Sequence, residues 1–178
     1  MNKEGSFKPI VIVLVFSMII ALFWKDLTFL SNIIHAILDP SAGALIIWNL
    51  HIGMLIIIFI LTLATTLIQK YTTDQKTLRE LRKEQKELQE EMKKYKDDPH
   101  KIMEFQKKSF EAMPKTLKLS MRSIAYTSIP LILFFRWFYD FFIGIGDPKF
   151  FGFLGWFLFY LIFTLIFSSI FKKVLKVV

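Results

Sequence analysis

The sequence predicts an all-α membrane protein. Three core transmembrane helices are joined by an extra N-terminal one, with a cytoplasmic antiparallel helical hairpin between the first and second core helices. Three observations predict this. Apolar residues come in blocks rather than faces, basic residues concentrate on one side of the blocks, and one long charged stretch carries a heptad seam with a single sharp break.

The blocks come first. Ala44–Ile68 and Phe150–Phe171 hold no formally charged side chain. Runs of about 18 or more such residues read as membrane spans. Ile124–Ile143 meets that test except for Arg136 and Asp140. Ile10–Trp24 is shorter and follows Lys3 and Lys8. It is read as a spanning helix, an interfacial helix or a cleaved signal, with no small-x-small site after it to favour cleavage. The chain divides into an N-terminal hydrophobic segment with an external loop (1–43), a core helix (44–69), a coiled-coil hairpin (70–118), and two core helices with a basic tail (119–178).

Charge sets the orientation. Between Gln69 and Leu119 lie 14 Lys/Arg and 10 Asp/Glu, and the C-terminal tail adds Lys172, Lys173 and Lys176. The opposite loops hold only Lys25 and Lys149. Lys/Arg-rich short loops stay cytoplasmic, which predicts a multi-pass protein of the plasma membrane with its hairpin and C-terminus in the cytoplasm. Trp24, Trp48, Trp137 and Trp156 fall toward the outer ends, where the lipid–water interface accommodates both ring and N–H.

In the hairpin, Leu78, Leu81, Gln85, Leu88, Met92 and Tyr95 follow heptad spacing. The stretch Lys96–His100 breaks it, because Pro99 disfavours helix at Asp98. Ile102, Phe105, Ser109 and Ala112 form the returning seam. Met92, Met103, Met113 and Met121 are either filler for the hairpin or an adaptable contact surface for apolar segments. The net +4 of this region offers a surface to the ribosome or to anionic lipid, but without the clustering of a specific nucleic-acid site.

No cysteine is present, the three His are scattered, and no phosphate-binding glycine motif occurs. The sequence therefore predicts no enzyme, no metal site and no cofactor. What stands out instead is polarity within the blocks. Thr62, Thr65, Thr66 and Gln69 lie on one helical face. Ser120, Ser123 and Thr127 do so on the next helix, and Tyr160, Thr164 and Ser168 on the last. All three stripes fall toward the inner side. A single stripe is ordinary, since such hydroxyls bond to their own helix or a neighbour. Three together mean either hydroxyl-mediated packing or a hydrophilic groove open to the cytoplasm. Arg122 and Arg136 are candidate groove charges. Arg136 lies in the outer half, where an ionisable group is a functional candidate or a snorkelling anchor, with Asp140 one turn on as a pairing partner.

This combination of inner-side notch, hairpin after one span and two further spans resembles the YidC-like insertases of the Oxa superfamily. It is similar to the short archaeal branch related to the third subunit of the endoplasmic-reticulum membrane complex. Ser128–Asp140, "SIPLILFFRWFYD", carries the Pro-then-aromatic pattern of the family's helix after the hairpin, and the resemblance covers Ala44 to Lys173. It implies insertion of nascent membrane protein segments into the lipid bilayer without nucleotide hydrolysis. The family's groove commonly holds an Arg on the helix before the hairpin; here Ala44–Gln69 has none, and Thr/Gln residues stand there. The alternatives are a structural membrane protein that oligomerises through its coiled coil, or a small channel or transporter.

Overall fold

The computed structural model describes residues 7–95 and 98–177, except the side chains of residues 7–10, Ala112 and Arg122. Among the described residues, seven α-helices run in order: α1 Phe7–Leu22, α2 Thr28–Leu38, α3 Ala44–Trp48, α4 Leu50–Thr72, α5 Gln75–Lys94, α6 Pro99–Gly144 and α7 Trp156–Leu175. Asp39–Gly43 is one π-helical turn joining α2 to α3. The chain is thus an all-α membrane protein with a shorter apolar helix at its N-terminus. Thr28–Trp48, Leu50–Thr72 and Trp156–Leu175 are long and apolar enough to cross a bilayer.

Three boundaries differ from the sequence expectation. The last apolar block opens with a turn bridging Phe150 and Leu154, and α7 starts only at Trp156. The stretch expected as an external loop is helical over Thr28–Leu38. The first core helix starts at Leu50 rather than Ala44, because the chain turns sharply at Asn49. Asn49 takes an extended backbone, and its side-chain oxygen accepts from the Ile52 N–H at 2.9 Å. Capping an orphan N–H in this way starts a helix. The corner is tight: a Cβ at Gly53 would stand 2.1 Å from the Leu45 carbonyl oxygen. Only glycine permits that approach.

Helix direction follows from side-chain pairs. His51 meets Phe151 and Phe159, and Phe59 meets Phe167 and Phe171, so α4 and α7 run parallel. Ser17 donates to Ser128 and Trp24 donates to Asp140, so α1 runs alongside α6 in the same direction. The antiparallel hairpin between α4 and α6 is formed by α5 and the first part of α6. Asp74 caps α5 through the Lys76 and Thr77 N–H groups, and Asp98 caps α6 through those of His100 and Lys101. Leu78 and Leu81 are buried in the seam, and the Tyr95 and Phe105 rings meet at the tip. Of the expected break, Lys96 and Asp97 lie outside the described residues, as does the seam side chain of Ala112. Pro99 occupies the first turn of α6, where its missing N–H costs nothing.

The returning hairpin arm and the second core helix are one helix. At ~1.5 Å per residue α6 is roughly 70 Å long, with Pro114 and Pro130 inside it. Each proline removes one backbone hydrogen bond. One continuous helix nevertheless links the hairpin tip to the far end of the bundle.

The apolar core sits at the end away from the hairpin. Ala42, Ile46, Met54, Ile57, Ile58, Trp137, Phe138, Phe142, Phe150 and Phe159 are buried there. The outward faces of α1 and α7, such as Ile12, Leu158, Leu165 and Ile166, are exposed and suit lipid.

Candidate functional site

The three hydroxyl stripes all turn into the bundle. On α4, Thr62 and Thr66 are 2% and 3% exposed, with Thr65 and Gln69 half-buried beside them. On α6, Ser123 is buried, and Ser120 and Thr127 are half-buried. On α7, Tyr160 is buried, and Thr164 and Ser168 are half-buried. Lipid-facing neighbours such as Leu165 at 62% show the contrast.

Three of these hydroxyls bond to their own helices. Thr65 and Thr66 donate to the Thr62 carbonyl at 3.0 and 2.7 Å, and Thr127 donates to the Ser123 carbonyl at 3.1 Å. That of Thr62 does not: its oxygen is buried without a hydrogen-bond partner among the described residues, whereas Thr164 interacts with the Tyr160 hydroxyl one turn back. Leaving a buried hydroxyl unsatisfied costs about 1–3 kcal/mol, so the packed stripe holds polar capacity that its own helices do not use.

The stripes occupy the half of the bundle nearer the hairpin. At the far end, aromatic rings bridge α6 and α7: Phe135 and Phe138 meet Trp156 and Tyr160, and Phe142 stacks on Trp156. Toward the hairpin, the rings of α7 turn to α4 instead, with Phe59 against Phe167 and Phe171. The far half is closed by aromatic packing, and the hairpin half is held by hydroxyl-bearing faces. An apolar cavity of about 430 Å³ lies at the distal edge of the stripes, lined by Leu38, Ala42, Leu45, Ile57, Leu61 and Phe134 among others. Leu61 adjoins Thr62, and Phe134 lies two helical turns beyond Thr127 on the same face.

Arg136 stands apart from the stripe. At ~100° per residue it points about 180° away from Thr127, toward α1. Its guanidinium lies 5.9 Å from the Trp24 ring centroid and 5.5 Å from that of Tyr139, within cation–π range. Its Nε is buried without a hydrogen-bond partner among the described residues. The expected Arg136–Asp140 pair does not form among the described residues. Asp140 instead accepts from Trp24 Nε1 at 2.5 Å, with His35 Nε2 3.7 Å away. The side chain of Arg122, the other candidate charge, lies outside the described residues. Of the methionines, Met103 and Met113 are exposed, while Met92 and Met121 are half-buried.

Two Trp residues expected at the lipid interface are buried. Trp24 and Trp137 sit inside the bundle, and Trp137 Nε1 donates to Asp39 at 2.7 Å. Asp39 is also held by His35 at 3.1 Å. This far-end network joins α1, α2, the π turn and α6 through residues about 100 positions apart in sequence. The His35–Asp39 pair is local, at i,i+4, but nothing local pairs the tryptophans with their aspartates.

The family model for integral membrane proteins described as EMC3/TMCO1-like matches residues 35–177. The chain belongs to this family. The EMC3/TMCO1-like family is part of the Oxa1/YidC-related superfamily, which associates this chain with membrane protein insertion, its substrates and lipid. The match takes in α3 to α7 and only the last turn of α2, and leaves α1 outside. No curated relative and no solved structure matches the chain.

Proposed function

We propose that this protein is a membrane insertase of the archaeal YidC-like kind, passing hydrophobic segments from the cytoplasm into lipid through a groove walled by α4, α6 and α7. One observation carries the reading. The bundle is closed by aromatic rings at the far end, but its hairpin half carries inward-facing hydroxyls, that of Thr62 unpartnered among the described residues. The groove rests shut along Thr62 and Thr66. Parting of α6 from α4 gives these hydroxyls new partners in water or in the polar flank of an arriving segment.

The scheme has three steps, each driven by an interaction within this chain or with the segment. The hairpin end, taken as cytoplasmic from its basic residues, meets an apolar segment at the exposed side chains of Met103 and Met113. The polar flank of the segment then borrows the stripe. This offsets part of the roughly 2–7 kcal/mol cost of moving an unpaired polar group out of water. The apolar part enters at the 430 Å³ cavity level and slides into lipid, driven by its burial at about 25 cal/mol per Å². No step consumes a nucleotide.

The test is site-specific photocrosslinking. A crosslinker at Thr62 is expected to trap a short-tailed membrane protein emerging from translating ribosomes. Trapping only α6 and α7 of the same chain, under conditions where insertion proceeds, would refute the groove.

A second reading has its own observation. Met103, Phe110, Met113 and Leu117 are exposed along one face of the hairpin arm of α6 at heptad-like spacing. That face suits a second copy as well as a substrate. If it assembles oligomers, Phe110→Ser and Leu117→Ser dissociate the complex in detergent. If it receives substrates, the size is unchanged and crosslinking from Met113 is lost.

A further inference from the structure

A cavity of about 670 Å³ opens at the hairpin end, where α4 and α7 both finish. It is lined by Lys70, Lys76, Arg79 and Lys176, with Glu80 as the one acidic group and Tyr71, Gln75 and Leu175 completing the wall. Four cations against one carboxylate leave it net positive. Among the described residues none of the four forms an ion pair. The clustering is invisible in the sequence, because Lys176 arrives from about 100 residues away. Arg79 holds it there by donating to the Lys176 carbonyl. Lys176 itself ends α7 in a left-handed conformation (φ 54°), which turns the chain back toward α5.

We propose that this cavity binds the phosphate of an anionic lipid headgroup. Its depth favours a lipid over a soluble ligand. Lys70 lies in the last turn of α4 and Leu175 is the last residue of α7, so the site sits at the plane where two apolar helices leave the bilayer. Tyr71 is 79% exposed at that level, where tyrosine rings favour the interface. Lysines at this depth attract anionic headgroups, each worth roughly a fivefold gain in affinity. A bound phosphodiester would bridge the α4–α5 corner to the end of α7 and fix the angle at which the hairpin leaves the membrane.

The experiment uses the full chain in neutral detergent, read by native mass spectrometry. Phosphatidylglycerol and phosphatidylcholine are titrated in separate arms, alongside inorganic phosphate and poly(U) RNA. Phosphatidylglycerol is expected to bind in preference to phosphatidylcholine. Lys70→Gln with Lys76→Gln, whose ammonium groups form no ion pair among the described residues, should weaken it roughly 25-fold. Lys172→Gln with Lys173→Gln removes the same charge from the last turn of α7 but outside the cavity wall, and should leave binding within about fivefold of the wild type. Equal losses in both pairs would overturn the site in favour of diffuse attraction. Equal binding of the two lipids, or binding of phosphate or RNA without phosphatidylglycerol, would overturn it as well. The readout is independent of insertion, so the proposed activity and this site fail separately.

Discussion

Thr62→Val probes the groove most sharply, because it removes a hydroxyl while keeping the branched shape. The Thr62 hydroxyl is buried without a partner among the described residues. An orphan hydroxyl costs about 1–3 kcal/mol, so valine should stabilise the closed bundle by about that much. Opening then becomes harder by the same amount, and insertion should slow roughly 5- to 150-fold at the upper bound. Thr66→Val is the matched control. The Thr66 hydroxyl already donates to the Thr62 carbonyl at 2.7 Å, so its loss should shift stability by less than about 1.5 kcal/mol. Stability is read from unfolding in mixed micelles, and activity from insertion of a short-tailed substrate into proteoliposomes. If Thr62→Val raises stability while insertion is unchanged, the stripe is a packing device and the reasoning fails.

Other outcomes test the supporting structure. Gly53→Ala drives a methyl into the Leu45 backbone at 2.1 Å; overpacking of about 3 kcal/mol should lower the apparent Tm by roughly 6–12 °C, read by a thermal shift in detergent. Ser17→Cys with Ser128→Cys should form a disulfide on mild oxidation, since the native hydroxyls are 3.3 Å apart. Adding Trp24→Phe removes the donor to Asp140 and should lower that disulfide yield, measured on non-reducing gels. The hairpin should respond to pH at both extremes. Lys108 holds the Glu104 carboxyl below its ordinary value, so its contribution is present above 4.5 and lost as pH falls through the depressed value. Glu91 raises the Lys94 ammonium, whose contribution is present below 10.5 and lost as pH rises through the raised value. Both sites are exposed, so circular dichroism should register small changes in helix content, without unfolding of the bundle.

What the sequence made legible is what depends on local pattern. Uncharged blocks mark α4 and α7, and the heptad seam and Pro99 mark the hairpin, because each signal lies within a few turns of chain. The inward turn of the three stripes was also legible, since a polar face on an apolar helix has few other places to go. Three features were not. The corner at Asn49 was hidden inside an uncharged run; Asn followed four residues later by Gly53 was its one local trace. The pairs Trp24–Asp140 and Trp137–Asp39 join residues 116 and 98 positions apart, so interfacial placement of these tryptophans was the natural but incomplete reading. The orientation of Arg136 toward Trp24 depends on α1, whose place beside α6 no periodicity encodes.

The central claim is that the hydroxyl-lined half of the bundle opens to water and substrate. Single cysteines at Thr66, Ser123 and Ser168 in this cysteine-free chain, treated with a membrane-impermeant thiol reagent from the hairpin side, test it directly. The account predicts slow labelling at all three, slower than at an exposed hairpin position such as Thr77, and faster when a substrate segment is engaged. No labelling at any of the three, with or without substrate, while Thr77→Cys reacts, would contradict it.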